Sequence, residues 1–178
     1  MRIYTILSRL IDYPDEELVS SLNLIDGLLE EENDLSPRER EDILQLTAWM
    51  RAQNLISLQG HYVQTFDVVP EHSLHLTHHS LGDDRARGPA LADLSQYFKN
   101  DGLEPVPGEL PDYLPLILEY VSTLDSMAAR VFLGEAAEML STLAANLERS
   151  ANLYAPVIRM IVRHASLGRA ATRVGNLG

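Results

Sequence analysis

The chain has no cysteine and only one lysine, Lys99, among its 178 residues. Without thiols it can form neither a disulfide framework nor a thiolate metal site, and it has no cysteine nucleophile. No apolar run approaches the roughly 18 residues that a membrane-spanning helix needs. The residues after Met1 also lack the long apolar core and small-residue cleavage site of a signal peptide. We therefore expect a soluble, cytoplasmic protein that does not insert into a membrane.

Glycine-based catalytic patterns are missing as well. No serine lies in the glycine-x-serine-x-glycine pattern of a nucleophile elbow, and neither the phosphate-loop nor the dinucleotide glycine pattern occurs. Asp83 and Asp84 are adjacent carboxylates that could act in acid–base catalysis. Adjacent acids on a loop are more typical of solvated or helix-capping side chains. These residues therefore give little support for nucleophilic or acid–base catalysis.

Positive charge is scarce and unevenly placed. The formal net charge is −12, and all 26 acidic residues lie at or before Glu148. The last thirty residues contain five arginines and no acid. An acidic body argues against nucleic acid as a partner, because phosphate backbones need clustered Lys and Arg. It favours a basic partner segment. The arginine-rich end is either a patch for an anionic partner or a solvated end.

What the chain does contain is helical periodicity with clear start signals. Ser36-Pro37-Arg38-Glu39, for example, combines a capping box with proline at the first helical position. No segment alternates as a strand would, and no internal repeat is present. We predict an all-α fold, a single-domain bundle of about eight helices over residues 1–168, followed by a flexible tail at 169–178. The predicted helices cover about 3–12, 14–30, 37–52, 54–66, 89–100, 111–124, 127–147 and 154–166.

The longest irregular stretch, residues 68–88, contains most of the histidines. His72, His75 and His79 are spaced so that they would share one face of a helix, with Glu71 or Asp83 nearby. Such a set is one hypothesis for a zinc or iron site, and hence for a metal-dependent hydrolase built on the His72–His79 cluster. The alternative is that these are polar histidines lining a groove, whose titration near pH 6.5 would make binding sensitive to pH.

A rigid turn follows at Leu110-Pro111-Asp112-Tyr113-Leu114-Pro115. Asp112 suits the N-cap position of the next helix, and the two prolines restrict how the chain enters it. Arginine is otherwise scarce in this region, so a hydrogen-bonded pair between Asp112 and Arg87 is a further hypothesis. Such a pair would tie the long loop to the start of the helix.

These segments together resemble the nitrate reductase molybdenum cofactor assembly chaperones, the NarJ or delta-subunit family. That family belongs to the redox-enzyme maturation chaperones, which include the TorD and DmsD types. The similarity covers about residues 3–154. The residues that carry it are Leu7 to Asp15, Tyr62, Phe66-Asp67, Ser73-Leu74, His79, Gly82, Arg85, Arg87-Gly88, Glu109 to Leu116 and Leu118-Glu119-Tyr120.

The chain departs from the family pattern at three positions. His78 replaces a common glutamate, Leu81 replaces a frequent histidine, and Tyr113 replaces the usual histidine of a Pro-Asp-His motif. A role that requires imidazole therefore cannot be transferred to positions 81 and 113. Tyrosine retains a polar tip and a face for stacking at position 113.

The resemblance implies a helical chaperone for one particular enzyme system. Such a protein binds the N-terminal segment of an apo molybdoenzyme catalytic (alpha) subunit, most simply that of respiratory nitrate reductase. It keeps that subunit away from its membrane anchor while molybdopterin guanine dinucleotide and iron–sulfur clusters are inserted. It binds no cofactor stably itself. The alternative within the superfamily is a proofreading chaperone for a twin-arginine leader of another molybdoenzyme.

We expect the chain to act as a monomer or homodimer, with no catalytic and no metal-ligating residues. The predicted partner-binding residues are Tyr62, Phe66, Asp67, His75, His79, Arg85, Arg87, Asp112, Tyr113, Pro115 and Glu119.

Overall fold

In a computed structural model the chain is an all-α single domain, as the sequence predicts. The structure describes residues 2–81, 85–103 and 108–175, with side chains except at position 81 and at 167–175. Gly82, Asp83 and Asp84, which the sequence analysis considered, lie outside these residues, as do the last three positions. The described residues form ten α-helices and no strand. No helix among them is long and apolar enough to cross a membrane.

The α-helices begin and end as follows: α1 Arg2–Ile11, α2 Glu16–Glu31, α3 Pro37–Arg51, α4 Leu55–Tyr62, α5 His78–Leu81, α6 Arg87–Asn100, α7 Leu114–Thr123, α8 Ser126–Glu135, α9 Ala137–Arg149 and α10 Ala155–Gly175. A π-helix, Val63–Asp67, extends α4, and a 3-10 turn covers Pro70–His72.

Local signals explain several of the helix starts. Asp15 caps α2 by accepting a hydrogen bond from the Leu18 N–H at 2.7 Å. Ser36 and Glu39 form the predicted capping box of α3. Asp125 caps α8 through the backbone N–H groups of its first turn. These side chains satisfy N–H groups that have no partner inside the helix, which fixes where each helix begins.

Ten helices are described where about eight were expected: α5 lies in the stretch that was expected to be irregular, and two further helix predictions need correction. The single helix expected over residues 127–147 is broken at Ala136, whose backbone (φ −88°, ψ 0°) leaves helical geometry. Gly134, a weak helix former, lies two residues before this break. The last helix continues to Gly175 instead of ending near Ser166.

The core forms where α10 packs against α8 and α9, and where α1 packs against α7. The apolar face of α1 is fully buried, with Tyr4, Leu7, Leu10 and Ile11 at 0% exposure. The packing of α1 on α7 brings residues 8–15 next to residues 109–115. Two of the segments that carry the family resemblance are therefore neighbours in space.

Candidate functional site

A short backbone ladder connects the histidine-rich segment to the proline-rich turn. His75 and Tyr113 form an isolated antiparallel bridge. The Leu76 N–H donates to the Asp112 carbonyl at 3.0 Å, and the Leu114 N–H donates to the Leu74 carbonyl at 2.9 Å. This pairing holds residues 74–77, which turn into α5 after His75, beside the start of α7. It is the reason why the long loop is ordered at this point.

Asp112 lies at the centre of this junction and has no exposed surface. Its carboxylate accepts hydrogen bonds from His75 Nδ1 at 3.2 Å and from both the backbone N–H and the hydroxyl of Thr77. Burial alone would raise the pKa of Asp112, but these hydrogen bonds and the charges of His75 and Arg87 outweigh it and lower the pKa. The carboxylate is thus held in its ionised form.

The prediction that Asp112 caps the next helix is wrong. The N-cap residue of α7 is Tyr113, and no side chain caps this helix. The Asp112 carboxylate instead binds residues 75–77, because the ladder places their donors directly beside it. The contact of Asp112 with residues 75–77 therefore takes the place of the predicted helix cap.

The hypothesis of an Asp112–Arg87 pair is confirmed. Arg87 Nη2 lies 3.5 Å from Asp112 Oδ2, and Arg87 Nε donates to the Thr77 hydroxyl at 3.0 Å. The start of α6 is therefore tied to the ladder. Arg85, also predicted to bind the partner, is exposed on the surface just before α6.

Hydrogen bonds between the side chains of Asp12, Tyr113 and Tyr62 link three segments that are distant in the sequence. Tyr113 donates to Asp12 Oδ1 at 2.9 Å. Because this proton is used, the Tyr62 hydroxyl donates to that of Tyr113, at 2.7 Å. Burial raises the pKa of both Tyr62 and Tyr113, so both keep their protons at neutral pH. The Asp12–Tyr113–Tyr62 chain joins α1, α4 and the start of α7.

Several of the predicted partner-binding residues are interior supports. Tyr62 and Phe66 are only 3% and 4% exposed, and Phe66 packs its ring against Tyr62 and Tyr154. Pro115 is buried, and its carbonyl accepts a hydrogen bond from the Ser8 hydroxyl at 2.7 Å. These residues shape the site from within. Asp67 and Glu119 are exposed, the first at the end of the π-helix and the second on α7.

The histidines do not converge on one point. His72 is buried and donates from Nδ1 to the Thr65 carbonyl, while His79 donates from Nε2 to the Ser73 carbonyl at 2.7 Å. His75 faces Asp112. Among residues 2–81, 85–103 and 108–175, no group of three or more His, Asp or Glu side chains could hold a metal ion.

An open cavity of about 350 Å³ lies beside the ladder, and most of its lining was missed by the sequence analysis. His75 and Tyr113 form its inner wall. Asp12, Tyr13, Glu109 and Leu110 form the rest together with Gly108. Tyr13 is 45% exposed and Leu110 40% exposed, so the cavity presents apolar side chains to solvent as well as two carboxylates. Both segments that line this cavity carry the family resemblance. That resemblance was the sequence signal from which the cavity could have been predicted.

A second groove continues from this cavity across Asp12, which lines both. It has a volume of about 410 Å³ between α1 and α2, with Glu119 of α7 at its edge. Its apolar lining includes Ile25 and Leu28, Glu17 adds a further carboxylate, and Arg9 pairs with both Glu17 and Asp12. We call the two together the acidic groove. Desolvation, with the nearby charges of Asp12 and Glu119, raises the pKa of Glu109, as expected where carboxylates crowd together.

A third cavity, of about 230 Å³, lies on the other side of the ladder. It reaches Asp112 and Thr77 but is otherwise mostly apolar, with Leu94, Phe132 and Met139 in its lining. The ladder is thus a thin wall between an acidic groove and an apolar cavity. This arrangement offers surfaces for binding. Among the described residues around it, no group of side chains resembles a catalytic site.

Comparison with known proteins gives consistent matches. The family model described as nitrate reductase delta subunit matches residues 32–159. The probable nitrate reductase molybdenum cofactor assembly chaperone NarJ of Bacillus subtilis is 31% identical over 159 residues, which is 89% of this chain and 85% of the relative. Escherichia coli NarJ, named as the same kind of chaperone, is 31% identical over 90% of this chain and 68% of its own length. A probable chaperone of that kind in E. coli, NarW, is 33% identical over 87% of this chain and 64% of its own length.

Proposed function

Because the chain belongs to the nitrate reductase delta subunit family, we propose that it is a chaperone dedicated to the assembly of a respiratory nitrate reductase. The three relatives described above are named as assembly chaperones and not as catalysts, and the chain is not an enzyme. In this proposal it acts in the cytoplasm, as a monomer or homodimer, on the apo catalytic subunit.

The acidic groove is the observation that supports binding of the partner's N-terminal segment. Its lining combines carboxylates at Asp12, Glu17, Glu109 and Glu119, which outnumber the cation of Arg9, with apolar side chains. An amphipathic helix with basic residues complements such a surface, because its apolar face enters the groove while its charges meet the carboxylates. The groove is shallow and open, so the segment can bind and be released without unfolding the chaperone.

The buried residues of the junction position this groove. Asp112 fixes residues 75–77, and Tyr113 connects this junction to Asp12 at the point where the two cavities meet. His75, Asp112, Tyr113 and Arg87 therefore act on the partner by holding the wall in place. Binding of an N-terminal segment would keep the catalytic subunit from its membrane anchor. During that time it would receive molybdopterin guanine dinucleotide and iron–sulfur clusters, none of which the chaperone retains.

Calorimetric titration with synthetic N-terminal peptides tests the proposal. The peptide of a nitrate reductase catalytic subunit should bind, while equal-length peptides from other molybdoenzymes should not. Binding to a twin-arginine leader of another molybdoenzyme, with no binding to the nitrate reductase peptide, would instead support the proofreading alternative. Absence of binding to every peptide would contradict both versions.

The alternative of a metal-dependent hydrolase lacks support in the described residues. His72 and His79 are occupied by separate backbone carbonyls, and His75 by Asp112. Metal analysis of the purified protein checks this directly. Stoichiometric zinc or iron, lost together with an activity in a His75→Ala/His79→Ala variant, would overturn the chaperone proposal.

A further inference from the structure

The cavity of about 350 Å³ in the acidic groove has an aromatic lining as well as an acidic one. Its lining includes three residues with rings, Tyr13, His75 and Tyr113. The ring of Tyr13 makes an edge contact with the buried Tyr62, with the ring centroids 5.4 Å apart. The ring centroids of His75 and Tyr113 lie 5.3 Å from each other. Each ring in the lining is therefore held by another ring of the protein.

The negative charge of this cavity is not balanced from within. Asp12 and Glu109 are its two acids, and no Lys or Arg is among the described residues that line it. His75 faces a carboxylate of its own, that of Asp112, at 3.2 Å. Arg9 reaches Asp12 from the neighbouring cavity, with Nη1 3.9 Å from Oδ2. Within the described part of the chain, the Glu109 side chain has no ion pair or hydrogen bond. One negative charge therefore remains for a ligand even when Arg9 is counted with Asp12.

A guanidinium group fits this combination of rings and carboxylates better than an ammonium group does. It is planar and weakly hydrated, so one face can stack on an aromatic ring while its N–H edge donates to a carboxylate. The ammonium group of lysine is a compact, strongly hydrated charge without such a face. Since Tyr13 and Glu109 line the same cavity, both contacts are open to a single side chain. The lining therefore favours arginine over lysine.

We propose that this cavity binds one arginine side chain of the partner's N-terminal segment, with its guanidinium group against the ring of Tyr13 and paired with Glu109. The inference rests on the proposed function and adds the identity of the residue that is recognised at this point of the groove. Leu110, which is 40% exposed, offers an apolar contact for the aliphatic stem of the arginine. The Tyr113 hydroxyl already donates to Asp12, so the ring of Tyr113 is the part that remains for the ligand.

Calorimetric titration of the full chain with the N-terminal peptide of the nitrate reductase catalytic subunit tests this assignment. The peptide is compared with variants in which each arginine is replaced in turn by lysine, so that the charge stays the same. We expect one of these replacements to lower the affinity about fivefold, which corresponds to about 1 kcal/mol, a typical contribution of a cation above an aromatic ring. Equal affinities of the original peptide and all its lysine variants would overturn the proposal.

Tyr13→Leu separates the effect of the ring from that of the rest of the cavity. It keeps an apolar side chain at a position that is 45% exposed but removes the aromatic face. The affinity of this variant for the original peptide should fall about fivefold, whereas its affinity for the weakened lysine peptide should not change measurably. Tyr97→Leu, at a position on α6 that is 56% exposed and outside the groove lining, is the matched control and should bind both peptides as the wild type does. An equal loss for both peptides in Tyr13→Leu would overturn the role of the ring.

A second probe tests the cavity without the partner. In an NMR titration of the full chain at millimolar concentrations of ligand, N-acetylargininamide should shift the amide signals of Glu109 and Leu110 more than N-acetyllysinamide does. Equal shifts with the two compounds would overturn the proposal even if the peptide binds. Selective shifts with the arginine compound, together with no binding of any peptide, would support an arginine site here while contradicting the proposed function.

Discussion

The hydroxyl of Tyr113 donates a hydrogen bond to the carboxylate of Asp12, at 2.9 Å, across 101 residues of sequence. One partner lies at the end of α1 and the other at the start of α7. Behind them the buried Tyr62 hydroxyl donates to that of Tyr113. This contact fixes the point at which the two halves of the acidic groove meet.

Removal of the central hydroxyl should therefore destabilise the fold. Tyr113→Phe leaves the buried Tyr62 hydroxyl without its acceptor, so we expect the free energy of unfolding to fall by about 1–3 kcal/mol. Urea denaturation followed by circular dichroism measures the change. The matched control is Tyr97→Phe, since Tyr97 is 56% exposed. Equal stabilities of Tyr113→Phe and the wild type would mean that the chain of hydroxyls contributes nothing.

Neutralising the buried carboxylate should have a larger effect. Asp112→Asn leaves the partly exposed Arg87 without its anionic partner, and breaking a pair with one buried member in this way costs about 3 kcal/mol, the lower end of the range for fully buried pairs. We expect the ladder between residues 74–77 and 112–114 to loosen, with faster hydrogen exchange at Leu76 N–H and Leu114 N–H. Slow exchange at both amides in the variant would show that the backbone pairing stands without the carboxylate.

The same carboxylate predicts a dependence on acid pH. Its pKa in the folded protein is lowered from the ordinary 3.8, so its contribution is complete above that value and is lost as pH falls through the folded-state pKa. Stability of the wild type should therefore decline more steeply than that of Asp112→Asn below about pH 3.8. Denaturation curves of both proteins at several pH values check this, and parallel curves would contradict it.

A separate pH effect is expected from His79. Burial lowers the pKa of His79, the hydrogen bond to the Ser73 carbonyl opposes this, and the outcome is a pKa below the ordinary 6.5. The unfolded chain then binds the proton more tightly, so stability is complete above pH 6.5 and declines as pH falls towards the folded-state pKa. His79→Gln can still donate to the carbonyl and does not titrate. The unfolding free energy of His79→Gln should change less than that of the wild type between pH 7.5 and 5.5. An equal change in the two proteins would show that His79 does not cause the pH dependence of stability.

Local signals predicted the helices well, and the reason is physical. Ser36 and Glu39 satisfy N–H groups within their own turn, so a short stretch of sequence contains all the information needed. The break at Ala136 has a weaker signal, since a single buried glycine before it rarely ends a helix. The packing of α10 against both α8 and α9 accompanies this break and is not visible locally.

The site was predictable only in part, because its contacts join distant segments. The pairing of Asp112 with Arg87 followed from their chemistry, but the burial of Asp112 beneath residues 75–77 did not. Tyr62 and Phe66 were expected to face a partner, yet they lie in the interior because α4 packs its aromatic residues inward. Asp12 and Glu109 could be recognised as candidate binding residues only from the packing of α1 against α7, which brings them to the same groove.

The most direct test of the central claim is calorimetric titration of a variant that lacks two of the groove's carboxylates with the N-terminal peptide of the nitrate reductase catalytic subunit. Glu109→Gln/Glu119→Gln removes two exposed carboxylates of the groove, while Asp93→Asn/Glu138→Gln removes two exposed carboxylates elsewhere. Exposed charge pairs contribute up to about 1 kcal/mol each, so we predict about tenfold weaker binding for the groove variant. Its salt dependence should also be shallower, and the control should bind as the wild type does. Equal affinity of the two double variants would contradict binding in the acidic groove.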